Sequence, residues 1–471
     1  MTLRVMIAAT LIVAEAAMRT PRGMMIHEAF YELPAVPPLP LRRHERVRAA
    51  VVALFRERAT GCPAFLGALT AHEWKALLHW LDTSGLALYL LDRLRERDHL
   101  EVLPEPIRQR LEQNLRDNTE RTNVLIEECC AIQREFVRAG ISYAVLKGFS
   151  LWPHSVSGLE LRSQLDLDFL VAAFDESRAQ GVLNSRGYRL HAISGRSREF
   201  KTPFAGTLKL ADLYRPSPQR TVEIHLEEHA SGLLKRCEHH TLREGSMPVL
   251  PAADLFLGQG LHLYKHLSRD QMRCSHLVEL YRHLRARNED QAFWAQVESM
   301  CAQQPRMAAS LGLALEFVSH QMEASCVPVA VRGWTIEHAP ISARLWVRRY
   351  GARMTTASFP GNKLHLLLQE EMAHTGLPSG RSIGRSLVPR RLPPRIAIPP
   401  ADETFNQALR RELQQGRFIL FRLCFHLREG LRYLRERRNW RRLLAHASSG
   451  TPEQGIMGPL HAGSARGATK P

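Results

Sequence analysis

The chain has 471 residues, 45% of them hydrophobic, with a formal net charge of +17 and a pI near 10.0. That apolar content is enough for a sizeable core in two or three domains and excludes a largely disordered protein. The charge favours an anionic partner, whether nucleotide, nucleic acid or a membrane surface, without choosing among them.

The cysteines, at 62, 129, 130, 237, 274, 301, 326 and 424, include no C-x-x-C pair. They are expected to be reduced and mostly buried. Cys237-Glu238-His239-His240 lacks a second ligand pair at suitable spacing, so zinc is not predicted there. No stretch reaches transmembrane length without charge; even Phe418 to Leu427 contains Arg422. A soluble, cytoplasmic protein is the expectation. Met1 to Met18 has the arginine and apolar run of a secretory signal, but Glu15 interrupts it, and Met24 or Met25 is an alternative start.

In chain order, residues 1–41 read as an N-terminal lead and a proline-rich connector from His27 to Leu41. Residues 42–140 read as helical, with helices over Arg42 to Arg58, Thr70 to Arg97 and Pro104 to Ala139. In the last of these Leu125, Cys129, Ile132 and Phe136 follow helical spacing, and Gly140 is placed as its stop.

The most informative stretch is Ile141 to Val171. A strand over Ile141 to Leu146 runs into the turn Lys147-Gly148-Phe149-Ser150, a loop carries Arg162, and a second strand over Leu165 to Val171 presents Asp166 and Asp168. Alternation puts the two acids on one strand face and Leu165, Leu167, Phe169 and Val171 on the other. A divalent cation bridging them to a phosphate is the commonest way to relieve their repulsion. A third acid follows at Thr221 to Glu227, where Val222, Ile224 and Leu226 alternate with Glu223, His225 and Glu227. Asp166, Asp168 and Glu223, facing a glycine-containing turn with a lysine and a hydroxyl, are the parts needed for phosphoryl or nucleotidyl transfer with two magnesium ions. His225 shares the acid face but reads as a histidine bonded within the sheet, outside the catalytic set. Between the acids, Asp175 to Arg186 reads as a helix ended by Gly187, Tyr188 to His191 as a return along the sheet, and Leu208 to Tyr214 as the strand leading into Thr221 to Glu227.

In order, Leu146-Lys147-Gly148, Arg162, Asp166-Leu167-Asp168-Phe169-Leu170-Val171 and Val222-Glu223-Ile224-His225 resemble the motifs of the bacterial uncharacterised nucleotidyltransferases, a branch of the polymerase-β-like superfamily. Leu261 to His266 and Arg273 resemble that family's following helical segment, so the resemblance spans roughly residues 60 to 330. It implies an α+β fold: a small mixed β-sheet nucleotidyltransferase core, residues 141–250, flanked by N-terminal and C-terminal helical regions, the latter over 251–375 and closing over base and acceptor. The superfamily's turn usually carries a Gly-Ser pair, whereas Phe149 here separates Gly148 from Ser150. Phosphate contact therefore falls to Ser150 or to Lys147, aided by backbone N–H groups. Arg162 either grips the triphosphate or braces its loop.

His262 and His266 lie one helical turn apart, a spacing that can chelate, but the H-E-x-x-H pattern is absent and a packed polar helix is the preferred reading. Residues 376–402 read as an arginine- and proline-rich linker, 403–446 as a basic amphipathic helical segment, and 447–471 as a disordered tail. The amphipathic segment is expected to pack its apolar stripe on the main body, with anionic lipid or nucleic acid as the alternative.

The combined expectation is a Mg²⁺-dependent nucleotidyltransferase, with Mn²⁺ as a substitute. Asp166, Asp168 and Glu223 hold the metal; Lys147, Gly148, Ser150 and Arg162 position an NTP, taken as ATP by abundance. The acceptor is an unidentified hydroxyl. The alternatives are a catalytically inactive nucleotide- or nucleic-acid-binding protein of the same fold and a membrane-surface scaffold.

Overall fold

The computed structural model describes residue 33 and residues 36–57, 63–204, 209–227, 232–243, 245–269, 272–373, 383–388, 392–393 and 404–449. Four helices come first: α1 (Arg43–Ala53), α2 (Ala71–Ser84), α3 (Ala87–Glu96) and the long α4 (Glu105–Arg138). The helix expected from Thr70 to Arg97 is divided, because Gly85 adopts a left-handed conformation between α2 and α3. Thr70 caps α2 through a reciprocal exchange with Glu73, which satisfies two otherwise orphaned N–H groups. At the end of α4 the amide of Ile141 donates to the Phe136 carbonyl across Gly140, closing the helix and releasing the chain into the sheet.

The sheet contains β1 (Tyr143–Leu146), β2 (Leu167–Ala172), β3 (Arg189–Ser194), β4 (Ser197–Lys201), β5 (Thr221–Glu227), β6 (Glu238–Leu242) and β7 (Gly245–Val249), in the order β3-β4-β5-β2-β1-β7-β6. It is mixed: β2 runs parallel to β5 and β1 parallel to β7, while the other pairs are antiparallel. Helix α5 (Glu176–Ser185) links β2 to the edge strand β3. Two details differ from the pattern reading. The strand beside β5 is β4, since Leu210–Asp212 forms a single 3-10 turn and residue 208 lies outside the described residues. The short Ser197–Lys201 segment offers little apolar alternation, so the pattern did not mark it. In addition, β2 begins at Leu167, leaving Asp166 just ahead of the strand and Leu165 exposed rather than in the core.

One sheet face is covered by α4 and α5. Val145, Phe169, Val171, Val222 and Ile224 meet Ile126, Cys129, Ile132 and Phe136 of α4 in one apolar cluster. Ile126 fills the first of these positions, with Leu125 at its margin. Phe136 stands edge-on to Phe169 and Tyr143, each with ring centroids 5.4 Å away.

Seven more helices follow: α6 (Ala252–Leu267), α7 (Cys274–Ala286), α8 (Gln291–Ala302), α9 (Pro305–Gln321), α10 (Val329–Trp334), α11 (Ile341–Thr355) and α12 (His365–Met372). Leu311, Leu313, Leu315, Phe317 and Val318 of α9 are all fully buried, as in a helix surrounded on every side. The helices before the sheet share this core: Val51, Trp80, Leu81 and Leu90 belong to the same cluster as Leu277, Phe317 and Trp346. Buried Arg353 of α11 pairs with Glu45 of α1, and Arg48 donates to the Thr356 carbonyl at 2.9 Å.

After the five-residue α13 (Ile383–Leu387), α14 (Phe405–Ser449) runs for 45 residues. Its packed face matches the expected apolar stripe of Leu409, Leu413, Phe421, Phe425 and Leu434 only at Phe425. Phe425, Tyr433 and Trp440 are buried, and Trp440 Nε1 donates to Glu371 of α12 at 2.8 Å. The leucine stripe of Leu409, Leu413, Leu420, Leu427, Leu431 and Leu434 is exposed. Tyr433 and Trp440 outcompete the leucines because they fill the groove and their polar tips satisfy Glu370 and Glu371.

Truncating Phe136 removes the ring that joins α4 to β1 and β2. Phe136→Ala is expected to lower stability by about 3–5 kcal/mol, measured as a lower urea midpoint at unchanged m-value.

Candidate active site

The site forms on the sheet face opposite α4. Parallel pairing of β2 and β5 sets Asp168 directly beside Glu223, and Leu170 beside His225. Asp168, Leu170, Glu223 and His225 therefore share one face. On the other side of β2, Asp168 is paired with Leu146, which delivers the next residue, Lys147, to the same spot.

Lys147 Nζ donates to Asp168 Oδ1 at 2.6 Å and lies 3.9 Å from Glu223 Oε2. His225 Nε2 is 2.8 Å from the same Asp168 oxygen, and the Ser197 hydroxyl of β4 donates to Glu223. Asp168 and His225 are buried, whereas Glu223 and Asp166 are partly exposed. Ligand atoms of Asp168, Glu223 and His225 all lie within 4.8 Å of one another. Asp166 is outside that tight group but within electrostatic reach of it.

The turn is built by unusual backbone. Lys147 has φ 51° and Gly148 φ 45°, and a Cβ on Gly148 would run into the Gln164 amide. At that positive φ a larger residue would be strained and would have to displace the Gln164 side chain. Gln164 is fixed in turn, its Nε2 donating to the Asp166 carbonyl at 2.7 Å. Ser150 is buried and its hydroxyl donates to the Lys147 carbonyl at 2.9 Å, so it closes the turn. Helix α4 holds the loop ahead of Asp166 by its carbonyls: Asn118 Nδ2 donates to those of Glu160 and Arg162, and buried Arg121 to those of Gln164, Leu213 and Arg215.

Arg162 does not touch the acids directly. Its Nε donates to Glu279 of α7 at 3.0 Å, and the same carboxylate oxygen accepts from Tyr89 of α3 at 3.0 Å. This network joins the loop ahead of Asp166 to helices from both halves of the chain.

Electrostatics separate the two aspartates. Burial pushes the Asp168 carboxyl up, but the Lys147 ammonium and the His225 hydrogen bond outweigh it and hold the group well below the usual carboxylate range. Asp166 is pushed up to about 6 by burial and then by the Asp168 charge. Burial would lower the Lys147 ammonium, yet Asp168 and Glu223 leave it raised. A second cation, Lys265 of α6, is brought down to about 8 by burial and by Arg269 and Lys147, while Glu223 and Asp168 act in the opposite sense.

Beside the acids a cleft of about 330 Å³ opens between the sheet and α6 to α9, within the range of about 300–1,000 Å³ common for ligand pockets. Lys147, Arg162 and His225 line it together with Leu170, His262 and Glu279. The three acids stand behind Lys147 and His225 rather than in the lining. Alternation places His225 on the acid face, and there it is bonded within the sheet, to Asp168 of the neighbouring strand. Nothing local in the sequence marked Glu279 or Tyr89 as partners of Arg162.

A mixed sheet with acids paired across parallel strands behind a lysine–glycine turn is the arrangement expected of a nucleotidyltransferase. Residues 70–323 match the family model described as uncharacterised nucleotidyltransferase, and the chain belongs to that family. Among solved structures it is similar to an antigenic nucleotidyltransferase-like protein from Paracoccidioides brasiliensis, at 12% identity and a TM-score of 0.24, over 41% of this chain and 91% of that one. No curated protein matches it.

Because Asp166 takes up a proton on folding, its charge opposes stability once pH rises above its folded value. Between about 4 and 6 the native state holds the proton and the unfolded state does not, so stability falls with rising pH. Asp166→Asn should be nearly neutral below pH 4 and stabilise the metal-free protein by about 1–3 kcal/mol above pH 6.5. Urea unfolding at both pH values measures the difference.

Proposed function

We propose that this protein transfers a nucleotidyl group from an NTP, ATP by its abundance, to a hydroxyl-bearing acceptor, supported by Mg²⁺ with Mn²⁺ as a substitute. The observation that carries this reading is the register match of Asp168 with Glu223, both within reach of Lys147. The donor set suits a hard cation, since carboxylate oxygens are the ligands such ions prefer. The raised Asp166 carboxyl supports the same conclusion: it is an acid held at a cost that a bound cation removes.

Asp166, Asp168 and Glu223 would hold the metal, which when bound lowers the pKa of the acceptor hydroxyl and neutralises charge on the departing pyrophosphate. Lys147, on the boundary between acids and cleft, is placed to exchange its carboxylate contact for a phosphate. Gly148 lets the turn approach closely, and Ser150 keeps that turn closed. Arg162, anchored by Glu279, lines the cleft where the nucleotide would enter. In the reaction an acceptor oxygen attacks the α-phosphorus, the bond to the bridging oxygen breaks, and pyrophosphate leaves.

Asp168→Asn retains an oxygen for Lys147 and His225 to bond, so the protein should fold while metal-dependent transfer drops by at least about 100-fold. Lys147→Ala should weaken nucleotide binding by about 10–100-fold. Pyrophosphate release with α-labelled NTPs and fractionated lysate, together with nucleotide titration, measures both effects. Nucleotide binding without turnover in the wild-type chain would favour the inactive binding protein.

A second surface has its own support. Among the described residues no helix is long and apolar enough to cross a membrane. The exposed leucine stripe of α14 is nevertheless flanked by exposed Arg410, Arg417, Arg428, Arg435 and Arg442, the pattern of a helix that lies on an anionic membrane. In this reading the enzyme works in the cytoplasm at the membrane surface. Leu420→Asp and Leu427→Asp should each weaken binding to phosphatidylserine-containing vesicles by about 10-fold. Flotation unaffected by either change would return the segment to a nucleic-acid or protein contact.

A further inference from the structure

The cleft contains a second cluster, separate from the carboxylates. His262 and His266 lie one turn apart on α6, and α7 brings His276 against them. The three ring centroids are each 4.6 Å from the other two. One nitrogen from each ring lies within 4.8 Å of the others, and the His262 and His266 Nε2 atoms are 3.1 Å apart. Two imidazole nitrogens bound to one tetrahedral zinc at about 2.0–2.1 Å stand about 3.3 Å apart, so this pair is already at ligand spacing.

The Nδ1 atoms of His262 and His276 are buried and meet no hydrogen-bond partner among the described residues, where a buried polar atom normally finds one; in His262 this is not the nitrogen that faces His266, so the convergence of the three rings, and not the orphaned atoms, marks the ligand point. Burial also keeps both rings neutral, with their pKa values well below the ordinary histidine value, and neutral imidazole is the form that binds metal. The three rings converge on one point, where each can offer a nitrogen lone pair to a cation.

We propose that His262, His266 and His276 form a three-imidazole site for a divalent transition ion of the zinc class, with its remaining coordination position open to the cleft. An all-nitrogen set favours zinc and its neighbours over magnesium. His262 and His276 line the cleft, so water or a phosphate oxygen of a bound ligand can supply the fourth contact, as in open three-histidine zinc sites. The cations acting on the cluster are Lys147 and Lys265 at His262, and Arg273 and Arg162 at His276. Lys147 is paired with Asp168 and Arg162 with Glu279, which limits their repulsion of a bound ion. The helix pair alone had favoured a packed polar face; the third ligand comes from a different helix, and no local spacing announces it.

The test uses the full chain stripped with chelator and titrated with Zn²⁺ alone by calorimetry, alongside His276→Ala and Asp168→Asn. The expected result is one tightly bound Zn²⁺ per chain, an affinity at least about 100-fold lower in His276→Ala, and a loss of less than about 10-fold in Asp168→Asn, which leaves all three imidazoles in place but unpairs Lys147. The last variant separates this site from the carboxylate site, so either can fail alone. X-ray absorption on the zinc-loaded wild-type chain should show three imidazole nitrogens and needs no variant to fold. An oxygen-dominated shell, absence of stoichiometric binding, or unchanged affinity in a folded His276→Ala protein would overturn the proposal.

Discussion

A buried, ionised Asp168 is the constraint around which this molecule is arranged. A lone carboxylate at the centre of a seven-stranded sheet would be too costly to keep charged. Lys147 and His225 make it tolerable, the first supplied by the turn after β1 and the second by β5, the two strands that flank β2. The same pairing that neutralises Asp168 fixes Glu223 beside it. Sheet register, charge balance and site geometry are thus one decision, and a one-residue slip of β5 would move Glu223 and His225 to the apolar face together.

The supporting parts are unevenly distributed. Long α4 serves both purposes: its apolar side packs under the sheet, and Asn118 and Arg121 grip the loop that carries Arg162 and leads to Asp166. The Arg162–Glu279–Tyr89 network then ties that loop to the helical core. A change in how α3 and α7 pack would be felt at the cleft through hydrogen bonds rather than through diffuse flexibility.

Much of the site could be read in advance because strands impose a period of two. Alternation in Thr221 to Glu227 put Glu223 and His225 on one face, and the lysine–glycine turn before an acid-bearing strand located Lys147. The differences arose where local pattern carries little information. Leu165 looked like a core position but precedes β2; Ser197 to Lys201 is polar enough to hide a strand; of the apolar stripe of α14, Phe425 is buried while Leu409, Leu413, Phe421 and Leu434 are exposed. Glu279, Tyr89 and His276 depend on helix packing between distant segments, which no window along the chain contains.

The helices that precede and follow the sheet in sequence build one interior. Trp80 and Leu90, made early, are covered by Leu277, Phe317 and Trp346, which emerge from the ribosome about two hundred residues later. Helices α1 to α3 therefore have no complete apolar partner during most of synthesis, and closing that separation carries a loop-entropy cost before any burial repays it. Nascent chains halted near the end of the sheet would display this unfinished surface to chaperones, and assembly of the helical body must await the carboxy-terminal half.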